Sequence, residues 1–112
     1  MIDVTGDVVT ALKTIKGTSV EYQQPKKTAK YPVITYYEAG NVPDTSADDA
    51  EYTSLIAIMV DVWAATAGKM ADIALEVDRV MTSIGFVRRM AYELPDPSGK
   101  YRKTMRYEIV CA

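Results

Sequence analysis

Histidine is absent from this chain and cysteine occurs once, as Cys111 next to the last residue. The side chains that most often serve as general base, thiolate nucleophile or soft metal ligand near neutral pH are therefore missing or alone. Enzymatic chemistry needs a nucleophile with its base, an acid and base paired in a pocket, or a metal cluster. None of these is legible in the sequence, and the expectation is a protein that is not an enzyme and uses no cofactor. A lone cysteine cannot close an internal disulfide, so the chain makes no use of an oxidising compartment. The six glycines are scattered singly at element ends, which excludes a phosphate-cradling loop.

Excess charge of either sign is also missing. Thirteen basic against fifteen acidic residues give a net charge of -2, too little to drive default binding to nucleic-acid phosphates. Lys26, Lys27 and Lys30, with Arg88, Arg89, Arg102, Lys103 and Arg106, interleave with tyrosine. They read as outward charges on strand edges, where they deter unwanted sheet pairing. There is no apolar run near the roughly 18 residues needed to span a bilayer, which predicts no membrane insertion. The opening Met1-Ile-Asp-Val-Thr-Gly lacks the basic-then-apolar order of a signal peptide, so secretion by signal is not expected, and a cytoplasmic birthplace is the simple reading.

What is present is an ordinary globular composition, 48% hydrophobic and 25% charged over 112 residues, enough for one domain with a modest core. Val4, Val8, Leu12 and Ile15 step along one helical face before Gly17, predicting a first helix. A short extended piece at Val20 to Gln23 and a lysine-rich loop precede a β-branched and aromatic strand, Tyr31 to Tyr37. Ala39 to Ala50 collects glycine, asparagine, proline, aspartate and serine, and predicts a long hairpin loop, suspect as a contact element because it exceeds ordinary hairpin lengths.

Glu51 to Trp63 is a long alternating strand. Ile56, Ile58, Val60 and Val62 fall on one face, and Leu55, Ala57, Met59, Asp61 and Trp63 on the other. The second face is too apolar for open solvent, so a neighbouring subunit is expected to cover it. Asp61 there must reach solvent, a partner's cation or a hydrogen-bond donor, and a subunit contact is the preferred reading. Ala67 to Ile84 is a helix with Met70, Ile73, Ala74, Val77, Val80, Met81 and Ile84 as its apolar stripe, stopped by Gly85. Phe86 to Leu94 and Tyr101 to Cys111 are strands about the turn Pro95 to Lys100. The order α-β-β-β-α-β-β predicts an α+β fold, a mostly antiparallel sheet of four to five strands with two helices on one face.

The candidate site residues are consequently contact residues: Tyr52, Leu55, Met59, Asp61 and Trp63 on the long strand, and Asp44, Asp48, Asp49 and Glu51 in the acidic loop. The four carboxylates lack the order of a calcium loop, and a solvated acidic loop is the preferred reading over a metal site. Eight tyrosines and one tryptophan against one phenylalanine favour surfaces apolar in body and polar at the tip, as interfaces are.

Five phrases carry a resemblance: Tyr31-Pro-Val-Ile-Thr-Tyr-Tyr-Glu38, the acidic loop, Ile58-Met-Val-Asp-Val-Trp63, Met81-Thr-Ser-Ile-Gly-Phe86 and Arg102-Lys-Thr-Met-Arg-Tyr107. In these and in element order the chain, from about Val4 onward, resembles the tail terminator, or tail-to-head joining, proteins of long-tailed bacteriophages. The resemblance implies a virion protein, assembled in the bacterial cytoplasm, that caps the tail tube as a ring, usually a hexamer. It also implies three partners: further copies of itself, the tail tube protein and the head connector, with DNA only passing through the lumen. A small homo-oligomeric α+β domain that binds a ligand or regulates an enzyme is the alternative.

Overall fold

The computed structural model describes residues 2–43 and 53–111. Seven elements follow in the expected order: α1 (Thr5–Leu12), β1 (Ser19–Tyr22), β2 (Val33–Pro43), β3 (Ser54–Ala64), α2 (Ala67–Ser83), β4 (Val87–Pro95) and β5 (Tyr101–Cys111). The five strands form one sheet in the order β1-β2-β3-β5-β4, with β1 parallel to β2 and every other pairing antiparallel. The molecule is elongated, 49 × 26 × 22 Å.

The helices form where the apolar spacing placed them. Val4, Val8, Leu12 and Ile15 are all buried, and the chain leaves α1 through Gly17 at φ +79°, a left-handed conformation that costs glycine little. The Thr5 backbone N–H donates to the Asp3 carboxylate at 2.9 Å and holds its pKa below the ordinary value. α2 is capped by Thr66, whose hydroxyl accepts from the Lys69 N–H at 3.2 Å. Six of the seven expected stripe residues, from Met70 to Met81, are buried, and Ile84 is half-buried against them. Gly85 ends the helix at φ +99°, where an added Cβ would lie only 3.2 Å from Ile109.

Most boundaries fall within a few residues of expectation, and the end of β2 departs furthest. The long loop was expected to begin at Ala39, but β2 continues to Pro43, stepping past an irregularity between Glu38 and Gly40. Each later residue, from Gly40 to Pro43, finds a partner on β3, from Ala57 back to Ser54. Gly, Asn and Pro discourage an isolated strand, yet a long neighbour that needs a pairing partner overrides local propensity. Asn41 also donates from Nδ2 to the Ile2 carbonyl at 2.7 Å, tying the start of the chain to this end of β2.

The core lies between the two helices and one face of the sheet, built from Ile34, Ile56, Ile58, Val60, Val62, Met105 and Tyr107 against Val8, Leu12, Ile73, Val77 and Met81. Tyr107 is fully buried and its hydroxyl donates to Asp78 Oδ1 at 2.9 Å, joining β5 to α2. Arg88 reaches the same carboxylate oxygen at 3.4 Å. Burial, then the bond to Asp78, pushes the Tyr107 pKa well above its ordinary value.

A group whose folded-state pKa is raised stabilises the fold below its unfolded pKa, near 10 for tyrosine, and that stability is lost as pH climbs beyond it. Urea unfolding followed from pH 7 to pH 11 is expected to show a fall above about pH 10, shallower in Tyr107→Phe. The Phe variant should lose about 1 kcal/mol at pH 7, the net worth of one such hydrogen bond. Equal alkaline slopes in parent and variant would refute the assignment.

Candidate interface on the open face of the sheet

The sheet carries both helices on one side, and the face of β3 holding Leu55, Ala57, Met59, Asp61 and Trp63 looks the other way. Antiparallel register sets the neighbours of each. Val42, Leu55 and Val110 lie in one row across β2, β3 and β5. Tyr37, Met59 and Arg106 lie in another, Thr35, Asp61 and Thr104 in a third, and Val33, Trp63 and Arg102 in a fourth.

These rows correct the expectation of a bare apolar strip. Met59 is 7% exposed and Trp63 8%, already sheltered within a single chain. No helix covers them. At Trp63 the shelter comes from side chains of the flanking strands, and Met59 stands in register between Tyr37 and Arg106. The Arg102 guanidinium lies 4.4 Å from the centre of the Trp63 ring, a cation-π stack, while Trp63 Nε1 donates to Thr35 Oγ1 at 2.9 Å.

Asp61, 3% exposed, has its cation in the same chain: Arg102 donates to Oδ2 from Nη2 at 2.6 Å and from Nε at 3.0 Å. The expected subunit contact is therefore not needed to neutralise it. Among the described residues, Asp61 Oδ1 and Thr104 Oγ1 have no hydrogen-bond partner, so the carboxylate depends heavily on Arg102. Removing one member of a buried ion pair leaves an uncompensated charge, whereas replacing both by apolar groups is often neutral.

Leu55 remains partly exposed, flanked by exposed Val42 and Val110. With Val87 at the start of β4, also exposed, these make an apolar patch at one end of the face, around a shallow depression of about 140 Å³ lined in part by Leu55, Val87 and Val110. Arg89 and Arg106 both bond Glu108 at its border, at 3.1 and 3.2 Å. Asp44, Asp48, Asp49, Glu51 and Tyr52, the other contact residues expected from sequence, lie outside the described residues. They belong to the segment that joins the two strands ending beside Val42 and Leu55. On the helix side, a groove of about 590 Å³ runs between the end of α1 and α2, lined by Lys16, Lys69, Asp72, Glu76 and Arg79, charges of both signs on a wet helix face.

Sequence reasoning found the face and missed its supports. Thr35, Arg102, Val42 and Val110 take their roles from strand register, which side-chain alternation does not reveal.

No family model matches the chain, and no curated protein matches it significantly. Among solved structures, the bacteriophage SPP1 gp17 protein shares the fold, with a TM-score of 0.54 at 18% sequence identity, covering 95% of this chain and 88% of that one.

Replacing Arg102 by Met is expected to cost about 3 kcal/mol in urea unfolding, because Asp61 would stay buried without its cation. The double variant Asp61→Leu, Arg102→Met should recover more than half of that loss. A double variant as weak as the single one would show that Asp61 and Arg102 are not energetically coupled.

Proposed function

We propose that this chain is a non-enzymatic structural protein of a phage tail, which forms a ring on the tail tube, ends tube growth and joins the tail to the head connector. The observation that carries the reading is the fold shared with a phage protein over nearly the whole chain. The strand and helix phrases from Tyr31 to Tyr107 support it independently. The ring needs no cofactor, and its lumen would pass DNA without gripping it, in keeping with a net charge of -2.

Contacts between copies, or with tube and connector, would use the exposed end of the open face, Val42, Leu55 and Val110, and the acidic stretch Asp44 to Glu51. Aromatic and aliphatic anchors at a rim of charge are the usual composition of such surfaces. Met59, Asp61 and Trp63 would serve that surface from beneath, holding Arg102 and Arg106 in place.

Electron microscopy of particles made without this reading frame tests the proposal. Tails of uncontrolled length, unattached to heads, are expected, and normal virions in normal yield would sink it. Complementation with Leu55→Lys should fail to restore joining while the purified variant melts within a few degrees of the parent, since a half-buried surface residue supports little of the core.

A further inference from the structure

β4 is exposed at every residue from Val87 to Glu93, on both sides of the sheet. It is an edge strand paired only with β5, and α2 lies chiefly over β3 and β5. Its regular stretch, Met90 to Leu94, follows the irregularity between Arg88 and Met90 and is in unbroken register with β5 from Arg106 back to Arg102. Met90, Tyr92 and Leu94 face the open side of the sheet, and Ala91 and Glu93 the helix side. Met90 is 50% exposed and Tyr92 40%. Edge strands that must stay single are usually short, interrupted by proline, kinked by a bulge or guarded by charge; here the irregularity and the guarding Arg88 and Arg89 all precede the regular stretch, which carries only Glu93 as a charge and meets no proline before Pro95.

The residues of this edge complement themselves. Turned antiparallel against its own copy about Tyr92, the strand sets Met90 opposite Leu94 of the second copy, Tyr92 opposite Tyr92, and Leu94 opposite Met90. One apolar ladder then runs across the join on a single face. Ala91 meets Glu93 on the other face, a small residue beside a long one, with no like charges opposed. The strand is also polarised along its length, with Arg88 and Arg89 near its start and Glu93 and Asp96 at or beyond its end. Antiparallel pairing brings each basic end beside an acidic end twice, while parallel pairing would set like beside like. Arg88 and Arg89 already touch Asp78 and Glu108, but their side chains remain 48% and 57% exposed, open to a second carboxylate.

We propose that β4 takes the β4 of a second copy of this chain, antiparallel about a two-fold axis at Tyr92, fusing two five-stranded sheets into one of ten strands. Such a contact is isologous and closes on itself, so it is distinct from the head-to-tail contacts of a ring and does not rest on the tail reading. A join of one strand is at the small end of specific interfaces, so the pair dissociates on dilution.

Multi-angle light scattering and sedimentation of the full chain over a range of concentrations test this. A shift from monomer to dimer with rising concentration is expected. Tyr92→Lys, which opposes two cations at the axis, should remain monomeric at concentrations where the parent is paired, with unchanged circular dichroism. Leu75→Lys, at a position 72% exposed on α2, should pair like the parent. In a Cys111→Ser background, Tyr92→Cys should be joined into a covalent dimer by a short bis-maleimide, because opposed residues of paired strands lie about 5 Å apart, and Leu75→Cys should not. A parent that stays monomeric throughout, a Tyr92→Lys variant that pairs as well as the parent, or a Tyr92→Cys variant that fails to cross-link would each overturn the inference.

Discussion

The fold turns on a carboxylate placed in the middle of its central strand. β3 is flanked on both sides and has helices on only one face, so its other face has to be sealed by whatever β2 and β5 extend over it. Asp61 makes that requirement strict, because a charge taken from water must find its counterion and its hydrogen bonds nearby. Arg102 meets it with two donor nitrogens and lays the same guanidinium on Trp63, whose indole N–H is in turn taken up by Thr35. The cation joins β5 to β3, and the indole carries the link on to β2. A slip of β5 by one residue would turn Arg102 to the helix side and strand Asp61, so the cluster fixes register as well as filling space.

With the central face sealed from within, exposure moves to the margins. α2 lies chiefly over β3 and β5 and only lightly over β4, whose residues from Val87 to Glu93 stay exposed. At the other end of the open face, Val42, Leu55 and Val110 form an apolar row. Among the described residues, the apolar side chains left exposed on this face lie at an edge and at an end. The broad centre of the face serves as the rigid floor between them.

The sequence was most legible where one element decides its own environment. The four-four-three spacing from Val4 to Ile15 and the stripe from Met70 to Met81 gave both helices and their buried sides. The bounds of β5 and the turn before it were also clear, since Asp96, Ser98 and Gly99 are residues a tight turn demands. The end of β2 was misread because Gly40, Asn41 and Pro43 weigh against a strand locally, and only pairing with β3 outweighs them. The site was half legible. Alternation correctly put Leu55, Met59, Asp61 and Trp63 on one face, but whether that face is bare depends on which side chains of β2 and β5 stand beside it. That depends on register between segments some 40 residues apart, as Asp61 and Arg102 are.

The opposite margin of the sheet has a different fate. β1 spans only Ser19–Tyr22, runs parallel to β2, and is pinned there by the Gln23 N–H bond to the Tyr36 carbonyl and by the edge-to-face packing of Tyr22 on Tyr36. Four residues give an incoming strand too few rungs to hold it. Lateral accretion of strands is thus blocked at one border, so pairing at the other would end in a closed pair and not in an open fibre.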